Sequence, residues 1–461
     1  MLERVKFESD TAGRLPVPGR TDVTLRARLR ADTHGQGVQD VPFVRRGGFV
    51  AIRIIFVYMK PIEFKIEKKM PRGRPGRAAI LTTPHGTIQT PAFAVVGTKG
   101  SVKSLTPEQV KDLGTEVVLA NTYHLYLQPG EKTLRKAGGV GTFMNWSGPT
   151  MTDSGGFQAF SLGAAFGKKM NKLAEVRQEK TLDERNEIAK LAKVTDEGVE
   201  FKSVLDGSTH FFTPERSTEI QHAIGADMIF AFDECTSPIA PYEYQKEAMN
   251  RTHSWASRSL HHHKKLFSYS HELENSRQAL FGIVQGGRFP DLRKESAKII
   301  GAMDFDGFGI GGSFEKRDMN TAVGWVNRIL PEEKPRHLLG IGDPLDLWDA
   351  VGEGCDLFDC VAPTRIARHG TLYSPKGLIH ITGAKFRNDF SPVVDGCPCY
   401  TCKNFSKAYL GYLFRAREFL AYTLASIHNL HFIVNLVKTM RQGVLEGTFE
   451  KLKDDFLRTY K

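Results

Sequence analysis

No run of apolar residues in this chain is long enough to cross a membrane. The longest, Phe49 to Tyr58, is interrupted by Arg53 and falls well short of the ~20 residues a spanning helix needs. It also lies too far from the first residue, with no small-residue cleavage site, to read as a secretory signal. Cysteine is scarce, at six in 461 residues. Three of the six fall between 397 and 402, which is metal-ligand spacing rather than a disulfide framework, and the pattern suits a reducing cytoplasm. Acidic side chains are outnumbered, 52 against 63 basic ones, for a net charge of +11. That balance favours an anionic partner, nucleic acid being the usual one, and says nothing of fold. A Gly-rich dinucleotide turn is missing after the first strand-like run, which counts against a doubly wound nucleotide-binding sheet.

What is present is an ordinary globular composition, 41% hydrophobic and 25% charged, over a length that suits two or three domains or one large barrel with attachments. Residues 1–58 stand apart. Gly, Pro, Arg, Asp and Thr are scattered there without helical or strand period, with basic residues in excess. They are expected to be a disordered tail, or upstream sequence read from a misplaced start codon; a basic arm for nucleic acid is the alternative. From Met59 to Ile66 the chain alternates like a strand.

From residue 90 a rhythm sets in. Eight strand-length apolar runs occur: Pro91–Val96, Glu116–Asn121, Pro149–Asp153, Asp227–Asp233, Ala279–Gln285, Gly307–Gly312, His337–Gly342 and Asp356–Asp359. They are continuously apolar rather than alternating, as strands buried on both faces are. Helix-like stretches such as Pro107–Leu113, Pro214–Ile224, Tyr242–Leu260, Pro290–Ile300 and Pro344–Glu353 lie between them. The fold expected is an α/β (β/α)8 TIM barrel over residues 59–385.

In a parallel barrel all strand ends meet at one face, where active sites sit. Those ends carry Gly97-Thr98, Asn121, Asp153, Asp233, Gln285, Gly311-Gly312, Gly340 and Asp359. Three carboxylates and two amides would then line one pocket. The eighth end matters most. Phe358-Asp359-Cys360-Val361-Ala362-Pro363-Thr364-Arg365 delivers a carboxylate and opens into a segment with Arg365 and Arg368. Read alone, it fits either a helix-capping aspartate in a buried strand or a nucleophile beside a phosphate backbone.

Two further features stand out. A charged insert at about 164–193 sets Leu173, Val176, Leu182, Ile188 and Leu191 among Lys, Arg and Glu, and is expected to be solvated helix leaving the catalytic face. Beyond the eighth strand, Cys397, Cys399, Cys402 and His428 make a three-thiolate, one-imidazole set. Such a closed tetrahedral set suits one structural zinc in a C-terminal zinc-binding subdomain, residues 386–461. Cys235, Cys355 and Cys360 lie in apolar strand contexts and read as packing residues.

From about Arg77 to Leu436 the chain resembles the tRNA-guanine transglycosylases, also called queuine tRNA-ribosyltransferases. The resemblance is carried by Val96-Gly97-Thr98, Asn121-Thr122-Tyr123-His124-Leu125, Thr152-Asp153-Ser154-Gly155-Gly156-Phe157-Gln158, Asp233-Glu234-Cys235-Thr236, Ile283-Val284-Gln285-Gly286-Gly287, the Asp359 segment and the cysteine set. It implies exchange of guanine at the wobble position of a tRNA with a GUN anticodon for a 7-deazaguanine base. It implies Asp359 as nucleophile on the ribose anomeric carbon and Asp153 as acid/base. Asp233, Gln285, Gly312 and Asn121 would bind the base, Phe157 would stack on it, and Arg365 and Arg368 would grip the anticodon. It also implies a homodimer built partly on the zinc module. Cys235 follows the bacterial pattern, which points to 7-aminomethyl-7-deazaguanine. The chain departs from the family pattern at Ser313-Phe314-Glu315-Lys316-Arg317, in the length of the insert, in Phe157 where many bacterial members have Tyr, and in residues 1–58.

The chemistry agrees independently. Cutting an N-glycosidic bond with retention needs one carboxylate to trap an oxocarbenium-like carbon and a second group to manage the base's proton. Purine edges match an aspartate and a glutamine, and an aromatic face holds a flipped base. Two other functions fit the fold: a non-catalytic RNA-binding subunit, against which the retention of Asp153 and Asp359 counts, and a nucleoside or glycoside hydrolase, against which the arginines and the zinc set count.

Overall fold

The computed structural model describes residues 37–45, 48–56, 60–71, 73–159, 192–203, 205–269, 278–312 and 319–460. The chain divides into two units, Met1–Lys60 and Pro61–Lys461. In the first, Gly37–Arg45 and Gly48–Phe56 pair as an antiparallel hairpin, Gly37 opposite Phe56 and Arg45 opposite Gly48. The expectation of no strand period in residues 1–58 is corrected over these two segments. Val, Ile and Phe are dense in them, but Gly, Pro and Asp break the alternation, and the pairing supplies what the local pattern hides.

The second unit holds a closed barrel of eight parallel strands. They are β1 (Ala92–Val96), β2 (Val118–Ala120), β3 (Thr150–Thr152), β4 (Met228–Phe230), β5 (Ala279–Val284), β6 (Gly307–Ile310), β7 (Arg336–Leu338) and β8 (Leu357–Asp359). Seven fall within one of the eight apolar runs, and β7 starts one residue before its run, at Arg336. Closure is made by β8 against β1, with Leu357 opposite Ala92 and Asp359 opposite Ala94. The helices Pro107–Asp112, Pro214–Ile224, Tyr242–Tyr269, Pro290–Gly301 and Pro344–Gly352 start where the sequence placed them, the third running past its expected end at Leu260. Four begin on a proline whose missing N–H costs a first turn nothing, and Thr106, Thr213 and Asp343 cap three of these.

Inside the barrel Val96, Leu119, Met151, Phe230, Phe281, Ile283 and Leu357 pack into one buried cluster. Ile62, Leu81 and Ile88 join it beside Ala92, Met228, Ala279 and Leu357, residues at the strand starts. The antiparallel sheet Glu63–Lys69, Arg77–Thr83, Gly86–Thr90 therefore plugs the end opposite the strand termini. An ion pair ties plug to barrel. Arg77 Nε and Nη2 donate to Asp356 at 2.9 and 2.7 Å, and both side chains are fully buried. The Arg336 N–H adds a third bond to Asp356, 2.8 Å long.

The helix Phe419–Glu446 is long and apolar enough, by length and composition, to cross a membrane. Leu424, Leu430, Ile433, Val437 and Met440 on it are nevertheless buried in the protein, so it is a core helix. Asn429 on this helix accepts from Tyr373 N–H and donates to the Pro363 and Thr371 carbonyls, each at 3.0 Å. That side chain fastens the segment following β8 to the C-terminal module. Most of the insert at 164–193, and the departure at 313–317, lie outside the described residues; Ala192 and Lys193 begin a three-stranded antiparallel sheet with Val199–Lys202 and Thr209–Phe212.

Candidate active site

Seven consecutive strand ends feed one ring of polar groups. Asn121, just past β2, caps the helix Thr122–Leu127 through its side-chain oxygen, 3.2 Å from the His124 N–H. Its amide nitrogen is thereby turned to Asp153, the residue after β3, and donates to Oδ2. The Thr122 N–H donates to Asp153 Oδ1 at 2.9 Å. Both carboxylate oxygens thus face donors. Asp153 is half-buried, and Phe157, four residues on, is partly exposed as well.

Deeper in the site the partners change. Ser154 Oγ donates to Asp233 Oδ1 at 3.0 Å, and Gln285 Nε2 donates to Asp233 Oδ2 at 2.6 Å. Asp233 and Gln285 are buried, so a donor–acceptor edge is preset at the floor. A Cβ on Gly311 would stand 2.6 Å from Gln285 Nε2, so only glycine leaves the amide in place. Gly312 has φ +100°, which disfavours any side chain there. Beneath this turn the buried Arg293 guanidinium donates to the carbonyls of Gly287 and Gly311, each at 2.7 Å, joining the ends of β5 and β6. Burial lowers the pKa of Arg293 to about 9, against a raising influence from Cys235.

On the other side of the ring, Asp359 ends β8 with 14% of its side chain exposed. Its Oδ1 accepts from the Gly340 N–H at 2.8 Å and lies 2.9 Å from His337 Nε2. Arg365 and Arg368 follow in and after the short helix Ala362–Ala367. Arg365 is exposed; Arg368 is held below its ordinary pKa by burial and then by the charge of Arg365. Arg368 Nη1 is buried without a hydrogen-bond partner among the described residues. Two guanidiniums this close, one of them with a buried N–H left over, make a seat for an anion or a base edge.

The cysteine set assembles as expected. Ligand atoms of Cys397, Cys399, Cys402 and His428 lie within 4.8 Å of one another, which makes them a possible metal site. His428 is buried on the core helix. Its Nε2 lies 2.8 Å from the Tyr373 carbonyl, so that nitrogen carries the hydrogen and Nδ1 is left for a metal. Nδ1 stands 3.3 Å from Cys402 Sγ and 3.6 Å from Cys399 Sγ. The donor set and its tautomer fit zinc.

Sequence reasoning missed His337, Ser154 and Thr122 as parts of the site. His337 had one signal, a polar ring opening the otherwise apolar run His337–Gly342. The other two stand beside flagged residues, yet their roles depend on which strand lies next door.

A closed parallel barrel whose strand ends present separately anchored carboxylates above a preset hydrogen-bonding floor is an enzyme scaffold of the glycosyl-transferring class. A family model described as Queuine tRNA-ribosyltransferase matches residues 72–461. A queuine tRNA-ribosyltransferase of Thermoanaerobacter pseudethanolicus is 45% identical over 405 residues, 87% of this chain and 98% of that protein. One from a Roseiflexus species is 45% identical over 404 residues, 86% and 99% of the two chains. A putative queuine tRNA-ribosyltransferase of Archaeoglobus fulgidus is 45% identical over 414 residues, again 86% and 99%. The chain belongs to the queuine tRNA-ribosyltransferase family, and is a pentosyltransferase of tRNA modification.

Proposed function

We propose that this chain exchanges guanine at the wobble position of a tRNA with a GUN anticodon for a 7-deazaguanine, by double displacement through Asp359. The observation that carries this reading is the pair of separately anchored carboxylates, Asp359 on Gly340 and His337, Asp153 on Asn121 and Thr122. Asp359 attacks the ribose C1′ as the bond to guanine N9 breaks, and that electron pair leaves with the base. A covalent Asp–ribose ester forms. The incoming base then displaces Asp359, giving up a proton in place of the one guanine has taken. Asp153 carries this proton, so the cycle is balanced. Asp233, Gln285, Gly312 and Asn121 read the base, Phe157 stacks on it, and Arg365 and Arg368 hold the RNA.

Cys235, next to the Asp233 reader, supports 7-aminomethyl-7-deazaguanine as the incoming base. Zinc on Cys397, Cys399, Cys402 and His428 would be structural, holding the C-terminal module together. We assign residues 59–385 to the catalytic barrel and 386–461 to that module. Phe390, Tyr400, Tyr412 and Phe419, all strongly exposed on it, support a homodimer built there. The gathering of Cys397, Cys399 and Cys402 with His428 as metal ligands supports a reducing cytoplasm.

Radiolabelled guanine should enter unmodified tRNA, and a denaturing gel should show a protein–RNA band when the second half-reaction is blocked. Asp359→Asn should abolish the band while tRNA still binds. If Asp359→Asn keeps the band and Asp153→Asn loses it, the two roles are reversed.

A further inference from the structure

His337 lies inside the barrel on β7 with no exposed surface, its ring 5.5 Å from that of Phe230. It has two nitrogens and two different environments. Nε2 is 2.9 Å from Asp359 Oδ1. Nδ1 is buried without a hydrogen-bond partner among the described residues. A buried N–H with no acceptor is costly, whereas an unused lone pair is less so. The tautomer that satisfies both sites carries its hydrogen on Nε2.

We infer that His337 is a positioning residue for the nucleophile, donating from Nε2 to Asp359 Oδ1 alongside the Gly340 N–H. The inference rests on the assignment of Asp359 above. With two donors on Oδ1, attack falls to Oδ2. Oδ2 forms the bond to C1′, the C1′–N9 bond breaks, and its pair departs with guanine. Oδ1 becomes the carbonyl oxygen of the ester and still faces both donors. When the incoming base displaces the carboxylate, the C1′–Oδ2 pair returns to it, and the charge spreads onto an oxygen whose donors are already in place. Such preorganised donors act on charge as it develops, without reorganising. They also fix which oxygen meets the ribose.

The test compares His337→Phe, which keeps a ring and removes the donor, with His337→Gln, which restores an N–H on a flexible stem. Guanine exchange and rapid-quench adduct formation are measured on the full chain with tRNA. His337→Phe should lower kcat about 100-fold, the usual scale for one such donor, with KM for tRNA unchanged. His337→Gln should recover most of that loss. A folded His337→Phe with wild-type kcat, or a His337→Gln no better than it, overturns the inference. Should His337→Phe not fold, the ring's tautomer decides in the wild-type enzyme. Its 15N signals, identified by their loss in His337→Gln, should show Nδ1 unprotonated; a protonated Nδ1 refutes the proposal. Asp359→Asn scores the underlying assignment separately. Retained exchange there removes the nucleophile itself, whereas a dead Asp359→Asn beside a fully active His337→Phe removes only the role of His337.

Discussion

Replacing Asp356 with asparagine tests whether the closed end of the barrel bears stability alone. The carboxylate takes three hydrogen bonds of 2.7–2.9 Å, two from Arg77 and one from the Arg336 N–H, with no solvent on either partner of the ion pair. Burial opposes the charge on Arg77, yet its pKa is raised because the charge and hydrogen bond of Asp356, joined by the charges of Glu332 and Cys355, together outweigh burial. Arg336 is held down to about 10 by burial and then by Arg77, with Asp356 pulling the other way. Asparagine keeps the shape, presents an NH2 to one former donor, and leaves two buried guanidiniums without their anion. Breaking a buried pair from one side costs about 3–5 kcal/mol. The site, at the opposite face, should be untouched, since conserving the strand ends conserves the chemistry. Urea unfolding should show a loss in that range for Asp356→Asn. A double change, Asp356→Leu with Arg77→Met, should cost clearly less than the two single losses added. Guanine exchange at low temperature should stay within about 2-fold of wild type, as expected for a residue far from the reacting atoms. A loss under about 1 kcal/mol, or additive singles, would refute the reasoning, because a charge pair that matters cannot be halved cheaply.

Cys399→Ala should lose bound zinc and destabilise the C-terminal module, because metal-binding free energy is folding free energy there; unchanged zinc by elemental analysis would remove Cys399 from the ligand set. Arg365→Ala should weaken tRNA binding by about 1–3 kcal/mol and leave affinity for the free base unchanged; equal damage to both would place Arg365 in the base pocket. Asp306 is an acid whose pKa burial raises to about 6, and it accepts from the Leu280 N–H at 2.9 Å. Its folded state holds the proton longer than the unfolded one, so stability falls as pH rises from about 4 to 6 and stays lower above. Asp306→Asn keeps the acceptor and should gain about 1–3 kcal/mol at pH 7.5 and nothing near pH 4. An equal gain at both pH values, in thermal midpoints, would rule out ionisation as the cause.

Much of this was written in local order. Eight strands are legible because each lies in or at the edge of a largely apolar run, and strands buried on both faces have no solvent side to alternate with. Cys397, Cys399 and Cys402 announce a metal within six residues, and Asp359 stands at the edge of its run. The hairpin Gly37–Arg45 with Gly48–Phe56 was not legible, because its stability lies in pairing rather than in either strand's pattern. Nor were the partners in the site. Asn121 finds Asp153 across 32 residues, Gln285 finds Asp233 across 52, and His337 finds Asp359 across 22. Sequence alone determines which side chains stand at strand ends. Which of them touch is decided by strand order and register in the closed barrel, where a hydrogen bond forms or fails within a few tenths of an ångström, a scale that residue spacing does not encode.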